Sequence, residues 1–297
     1  MNRDDTLWKG ILENVFDDFL RFFFKNAEKL FDLKKGFQFL DKELEQLFPS
    51  EDMKPPKFVD KLVKVDTREG KEEWILVHIE VQGYEDDDFA FRMFTYFYRI
   101  LDKYRKPITA IAILTDTNKN FHPDRYQYNF LGTSNTFSFN TYKILAQDEK
   151  ELRISENPFA IVVLTVLLAI KKKQLSDDDV LGLKLEIVRN LLTHNISDKK
   201  IRALVNFLKF YVRFDNAEFH TKFEETILKI TKNKKTMGIE EMLLERAKQE
   251  GMEKGMEKGK HLFVKNLLTD TNFSIAKIAA LANVTEAFVR KVKKSLK

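Results

Sequence analysis

The chain has 297 residues and a net charge of +5, with 43% hydrophobic and 33% charged residues, the proportions of a soluble globular protein. It has no cysteine, which excludes a disulfide framework and a thiolate zinc site. Residues 159–170, the longest apolar run, are too few to cross a bilayer, and residues 1–10 lack the apolar core of a signal peptide. We therefore expect a cytoplasmic protein that has no membrane contact.

The first predicted element is a helix over residues 5–31, in which apolar side chains recur at helical spacing. Two strands follow, at residues 58–65 and 74–81, joined by a polar turn in which Gly70 can adopt a positive φ.

Each predicted strand carries one acidic residue, Asp60 on the first and Glu80 on the second. If the hairpin folds about residues 69 and 70, Asp60 lies opposite Ile79 or Glu80, with Cβ atoms roughly 4.5–5.5 Å apart. Gln82 shares the face of Glu80, because successive strand residues alternate between faces. The pattern therefore predicts that Asp60, Glu80 and Gln82 converge.

Two converging carboxylates suit Mg²⁺, which prefers oxygen ligands. Asp60 and Glu80 would supply the carboxylates, and the carbonyl group of Val81 is a plausible third ligand. Such an ion polarises a phosphoryl oxygen and lowers the pKa of an attacking water. In the alternative interpretation, Asp60 pairs with Lys61 or Lys64 at an exposed edge, and Glu80 is a solvated strand end.

A helix is predicted from about residue 86 to residue 104, because three aspartates begin it and Pro107 follows it. Arg92, Tyr96 and Arg99 share one face at spacings of four and three residues. Arginine is a bidentate phosphate donor, so this face could hold a phosphodiester backbone. Alternatively, the arginines pair with the three aspartates or stack on the tyrosine.

These motifs resemble the PD-(D/E)XK nuclease superfamily and, more narrowly, the Rpn group of recombination-promoting nucleases and putative transposases. The resemblance covers roughly residues 4–145 and also the tail. It rests on Asp60, on Glu80-Val81-Gln82, on Phe91-Arg92 with Tyr96, and on residues 5–9. It implies a metal-dependent DNA endonuclease that uses Mg²⁺ or Mn²⁺. Gln82 would orient the water or the scissile phosphate, and Arg92 and Tyr96 would position the backbone.

The superfamily often has lysine where this chain has Gln82, although glutamine is usual in the narrower group. Glutamine can hydrogen-bond a water but carries no charge, so the cation of the site remains unassigned. Lys64, on the Asp60 strand, and Lys9, on the first helix, are the candidates. In the superfamily an acidic residue of the first helix can join the metal, which makes Glu13 a candidate third carboxylate. The alternative for Glu13 is a solvated face.

The remaining pattern predicts an α/β fold, a mixed sheet flanked by helices and followed by an all-helical C-terminal half, and the resemblance implies that the sheet is PD-(D/E)XK-like. The apolar run at residues 108–115 indicates a buried parallel strand, and residues 136–145 a further strand. The predicted domains are a nuclease-like core (1–150), a helical bundle (151–235), a helical linker (236–269) and a helix-turn-helix (270–297). The helices of the bundle are predicted at residues 158–172, 178–194, 198–214 and 216–232.

The linker contains a GMEK repeat at residues 250–260 that would place three glycines on one helical face and permit a homodimer. The alternative is a loosely helical linker, because glycine disfavours helices. The tail would bind DNA phosphates through four basic residues of its second helix, and the alternative is a helical hairpin for protein contact. These four residues are Arg290, Lys291, Lys293 and Lys294.

The predicted function is phosphodiester hydrolysis in DNA, linked to recombination or mobile elements. The alternative is a non-catalytic DNA-binding or regulatory protein in which the nuclease fold is a scaffold and the tail binds the DNA.

Overall fold

The structure is a computed structural model that describes residues 3–41, 58–80, 88–232, 262–269, 273–282 and 284–295, and positions 44, 47 and 271. The chain forms two compact units, Met1–Lys234 and Lys235–Lys297. Within these described ranges, none of the helices has the length and apolar content needed to cross a bilayer.

The first unit contains seven described strands and eight helices longer than a single 3-10 turn. The strands are β1 (Phe37–Phe39), β2 (Phe58–Asp66), β3 (Glu72–Glu80), β4 (Ile108–Leu114), β5 (Arg125–Phe130), β6 (Thr133–Ser138) and β7 (Asn140–Lys143). The helices are α1 (Arg3–Phe23), α2 (Ala27–Leu30), α3 (Phe89–Tyr104), α4 (Glu149–Ile154), α5 (Pro158–Lys171), α6 (Asp177–Leu191), α7 (Asp198–Tyr211) and α8 (Glu218–Lys232).

Five strands form a mixed sheet in the order β1-β2-β3-β4-β7, and β5 and β6 form a separate hairpin. The pairs β1–β2 and β2–β3 are antiparallel, whereas β3–β4 and β4–β7 are parallel. Helix α3 connects β3 to β4, as a parallel pair requires. The predicted α/β fold with a helical C-terminal half is confirmed.

The β2–β3 hairpin is centred on Glu69, and Gly70 has a φ of 78°. The register pairs Asp66 with Glu72 and therefore Asp60 with His78. The expectation that Asp60 lies opposite Ile79 or Glu80 is wrong by one or two positions, because the turn is symmetric about residue 69 and not about the 69–70 bond.

Helices cover both faces of the sheet. Glu13 of α1 bonds Lys61 of β2, which places α1 on one face. On the other face, Leu62 and Ala112 pack in one core cluster with Met93 and other side chains of α3. Strand alternation explains the division, because Lys61 and Leu62 are consecutive and point to opposite faces.

Helix α1 also packs against the helical half. The Trp8 ring makes an edge contact with Phe207 of α7 at 5.3 Å between centroids, and Phe19 makes another with Phe159 of α5 at 5.2 Å. Helix α5 is buried along most of its length. The predicted nuclease-like core and helical bundle therefore lie within one compact unit.

Several element boundaries differ from prediction. The predicted helix 5–31 ends at Phe23 and resumes as α2, because residues 24–26 form a turn closed by a bond from Ala27 N to the Phe24 carbonyl. The predicted strand 136–145 is divided between β6 and β7, which belong to different sheets. Strands β1 and β5 and helix α4 were not predicted, since they have only three to six residues.

The second unit has three described helical segments, α9 (residues 262–269), α10 (Ile275–Ala282) and α11 (Glu286–Ser295). Val264, Ile278 and Val289 form the centre of a small apolar core. Thr285 caps α11, since its hydroxyl accepts a bond from Phe288 N at 3.3 Å. The GMEK repeat at residues 250–260 lies outside the described residues.

Candidate functional site

The two predicted carboxylate positions occupy neighbouring rows of the sheet. Asp60 pairs with His78, which pairs in turn with Ala112 of β4. Glu80 lies two residues further along β3, in the next row on the same face, opposite Phe58 and beside Leu114. The structure describes the backbone of Asp60 and Glu80 but not their side chains, and Val81 and Gln82 lie outside the described residues.

Both rows belong to the face of the sheet that α3 covers. Ala112 and Leu114 pack in the core cluster that contains Met93 and Tyr96 of α3. Paired residues in a sheet share a face, so the register assigns positions 60 and 80 to the α3 side. A diagonal offset of two residues corresponds to about 7–8 Å between the Cα atoms, which is close enough for two carboxylates to share one ion.

Helix α3 does not present its tyrosine as predicted. Tyr96 is 2% exposed and packs in the core, whereas Phe91 and Tyr98 are 51% and 54% exposed. The stripe that contacts the sheet runs through residues 89, 93, 96 and 100, whereas Phe94 and Phe97 stack on aromatic rings of the β5–β6 hairpin. The expectation that Tyr96 contacts a phosphodiester is therefore wrong.

The arginines of α3 are held by neighbouring groups. The Arg92 guanidinium lies 5.4 Å from the Phe89 ring centroid, and the side chain is partly buried. Arg99 donates a hydrogen bond to the Leu47 carbonyl at 2.9 Å. Of the predicted Arg-Tyr face, Arg92 alone lies near the first turn of the helix, which follows the Glu80 strand.

Glu13 lies on the other side of the sheet from positions 60 and 80. Its carboxylate accepts from Lys61 Nζ at 2.5 Å, and Asp41 accepts from the same amine at 2.5 Å. The Lys61 side chain is 1% exposed, and a buried ammonium requires such partners. Glu13 is thus committed to Lys61, and this geometry does not bring it to Asp60. Lys61 itself is occupied by Glu13 and Asp41, and the side chain of Asp60 lies outside the described part of the chain.

Neither Lys64 nor Lys9, the two candidates for the cation of the site, lies at the end of the sheet that carries positions 60 and 80. Lys64 lies four residues from Asp60 on β2, a distance of about 13 Å along a strand. Lys9 lies on α1, one helical turn before Glu13 and therefore on the α1 side of the sheet.

A buried ion pair at the same edge of the sheet was not predicted. Lys143, in register with Leu114 and so in the row of Glu80, donates to Asp116 Oδ1 at 2.5 Å. Both side chains are 1% exposed, and Asp116 Oδ2 has no hydrogen-bond partner among the described residues. The polar stop at Asp116 was visible in the sequence, but nothing local indicates a partner 27 residues away.

Among the described side chains, no group of three His, Asp or Glu residues could hold a metal ion. The side chains of Asp60 and Glu80 are not among those described. Their register position at the carboxyl end of β3 fits a two-carboxylate site, since ligands bind open α/β sheets at the carboxyl ends of strands.

In the second unit, the basic residues predicted to bind DNA lie on α11. Arg290 is exposed and donates to Glu286 at 3.2 Å, and Lys293 is exposed. The side chains of Lys291 and Lys294 are outside the described part of the chain.

Comparison with known proteins found one matching family model. Residues 14–114 match the family model described as "Putative transposase, YhgA-like". A search of curated proteins and a search of solved structures each found no match. The matched region runs from the middle of α1 to the last residue of β4, and it includes the β2–β3 hairpin and α3. Over residues 14–114 this chain is therefore similar to the YhgA-like putative transposases, a family within the Rpn group of PD-(D/E)XK-like proteins.

Proposed function

We propose that the protein is a metal-dependent DNA endonuclease that hydrolyses phosphodiester bonds. One observation carries the proposal: the β2–β3–β4 register brings Asp60 and Glu80 to adjacent rows on one face, at the carboxyl end of a parallel strand pair. The match of this region to a transposase family supports it, because transposition requires the breaking of DNA strands. The link to recombination or mobile elements is part of the same proposal.

In this proposal Asp60 and Glu80 hold Mg²⁺ or Mn²⁺, with the Val81 carbonyl as a further ligand. The ion supplies Lewis-acid chemistry and a water of lowered pKa. Gln82 hydrogen-bonds the attacking water or the scissile phosphate through its carboxamide. Arg92 holds the DNA backbone, whereas Tyr96 packs α3 against the sheet and so positions Arg92.

The experiment is nicking of supercoiled plasmid in Mg²⁺ by the Asp60→Ala and Glu80→Ala variants. We expect each to lose cleavage to background while the protein remains folded, because the ion loses a ligand. Glu69→Ala is the matched control: it removes a carboxylate from the turn of the same hairpin, where that side chain is 77% exposed. Cleavage that survives either substitution, or that EDTA does not stop, contradicts the proposal.

The second candidate is a DNA-binding or regulatory protein without catalysis. The observation in its favour is the second unit, which has its own core and presents Arg290 and Lys293 on α11. DNA binding at full strength with no metal-dependent nicking would favour this candidate. In either case the proposed partner is DNA, and a homodimer through the C-terminal segment remains a proposal.

A further inference from the structure

A cavity of about 390 Å³ lies between α1 and α7, away from the strand ends described above. Its lining consists of two cationic side chains, two carboxamides and one alanine, and it includes no carboxylate. The lining residues are Asn14, Lys199, Arg202, Ala203 and Asn206. Residues 199, 202 and 206 share one face of α7, because they are spaced by three and four.

The two cations of the cavity are not neutralised by the described part of the protein. Neither Lys199 nor Arg202 forms an ion pair there. Lys200, the next residue along α7, shows the contrast: its amine bonds Asp17 at 2.7 Å and Asp18 at 2.6 Å. These two carboxylates of α1 are therefore committed to Lys200 and leave the cavity with a net positive charge.

Arg202 also holds an unused donor. Its Nε atom is buried and has no hydrogen-bond partner within the described ranges. A buried N–H without an acceptor costs free energy, and most such groups are paired by protein, water or ligand. Asn14 is fixed beside it, since its Nδ2 donates to the Gly10 carbonyl at 2.8 Å. The lining therefore combines two cationic donors with two carboxamides, and the buried Nε of Arg202 is the donor without an acceptor among the described residues.

We propose that this cavity binds a phosphate group. The guanidinium of Arg202 offers two parallel N–H donors, which match two phosphate oxygens. Lys199 adds a second positive charge at the mouth of the cavity, where its side chain is exposed. Two cations without a carboxylate favour a dianion over a singly charged carboxylate. The phosphate group belongs either to a nucleic-acid backbone or to a small phosphorylated molecule, and the site does not depend on the proposed cleavage chemistry.

The first test uses the full chain and inorganic phosphate as the probe, with binding measured by isothermal titration calorimetry. Arg202→Met is expected to weaken phosphate binding at least about tenfold, the effect of losing a bidentate charged donor. Arg202→Lys keeps the positive charge but loses the two parallel N–H donors. Its phosphate affinity is expected to lie between those of the wild type and Arg202→Met. Lys173→Met, which removes an exposed lysine elsewhere in the same unit, is the matched control. Acetate at equal ionic strength should not compete.

The second test identifies the source of the phosphate group through the salt dependence of binding to a fluorescent DNA duplex. If the cavity holds a backbone phosphate, Arg202→Met reduces the slope of log affinity against log salt by about 0.9. An unchanged slope together with weakened phosphate binding assigns the cavity to a small phosphorylated molecule.

Equal phosphate binding by the wild type, Arg202→Met and Lys173→Met, with equal DNA slopes, would overturn the proposal. If Arg202→Met does not fold, Lys199→Met replaces it in both measurements, since the side chain of Lys199 is exposed and its removal leaves the core intact. Both readouts are independent of plasmid nicking, so failure here and failure of the nuclease proposal are distinguishable.

Discussion

At the scale of single residues, the described part of the protein buries three lysines in three different ways. Lys61 bonds two carboxylates, Lys143 bonds one, and no carboxylate of the described residues bonds the amine of Lys184. A buried ammonium without a carboxylate is costly, so Lys184 is the residue whose charge state is most sensitive to its surroundings.

The surroundings of Lys184 are aromatic rings and carbonyl groups. Its Nζ donates to the Val212 carbonyl at 2.8 Å and lies 4.3 Å and 4.4 Å from the ring centroids of Phe214 and Phe223. These contacts favour the charged form, whereas removal from water disfavours it.

Burial, with the charges of Lys209 and Lys172, lowers the pKa of Lys184 from its ordinary value to about 7. The unfolded chain keeps a pKa of about 10.4. Between these values the unfolded chain holds a proton that the folded chain has released, so the free energy of unfolding rises with pH. The rise is up to ~1.4 kcal/mol per pH unit from this residue, and it is absent below the folded-state pKa.

We predict that Lys184→Met removes this rise. The measurement is urea denaturation of the wild type and the variant at several pH values between about 6 and 10, the window set by the two pKa values. The free energy of unfolding of the wild type should rise relative to that of the variant as pH increases. Lys173→Met, at an exposed position, should keep the wild-type slope. Parallel curves for wild type and Lys184→Met would mean that Lys184 stays protonated in the folded protein.

At the scale of elements, the Asp116–Lys143 pair joins the ends of β4 and β7. The two strands share only four paired positions, from Ile111–Asn140 to Leu114–Lys143. An ion pair at the end of such a short parallel pairing stabilises it, and the Asp116–Lys143 pair is fully buried.

We expect Asp116→Asn or Lys143→Met alone to destabilise the protein by about 3–5 kcal/mol, because each leaves a buried charge without its partner. The double variant should be destabilised by clearly less than the sum of the two single effects. Denaturation of all four proteins gives the coupling energy. Strictly additive effects would show that the two side chains do not stabilise one another.

The sequence allowed the central strands and the long helices to be predicted, because their periodicity is strong. Whether positions 60 and 80 share a face depends on the register of the hairpin, and the turn sequence alone did not predict that register. The buried side of α3 could not be predicted, since both Arg92–Tyr96–Arg99 and Phe91–Phe94–Tyr98 recur at helical spacing. The β5–β6 hairpin, whose packing on Phe94 and Phe97 is a tertiary contact, is not visible in that spacing. The placement of Glu13 likewise depends on Lys61, which is 48 residues away.

At the scale of the whole molecule, the two compact units have separate cores. Deletion of residues 235–297 removes the second unit completely and is therefore expected to leave the unfolding transition of the first unit in place. It should weaken DNA affinity and flatten its salt dependence by about 0.9 for each phosphate that α11 neutralises in the full chain. Arg290 should contribute less than Lys293, because Glu286 already bonds it.

The measurement is fluorescence anisotropy of a labelled duplex over a salt series, together with the thermal unfolding of both proteins. Equal affinity and slope for the full and shortened chains would mean that α11 does not bind DNA. The two-helix tail would then be a protein-contact element, and sedimentation of the two proteins would report any self-association.

The matched family region begins within α1 and ends with β4. Cut out at those limits, β4 would lose β7 and expose an unpaired edge beside Ile111 and Ile113, which are buried in the intact protein. Such an edge invites aggregation, and the fragment would also lack α5 and α7, on which α1 packs. The matched region is therefore not expected to fold by itself. A segment transplanted into another protein would have to carry the helical half with it.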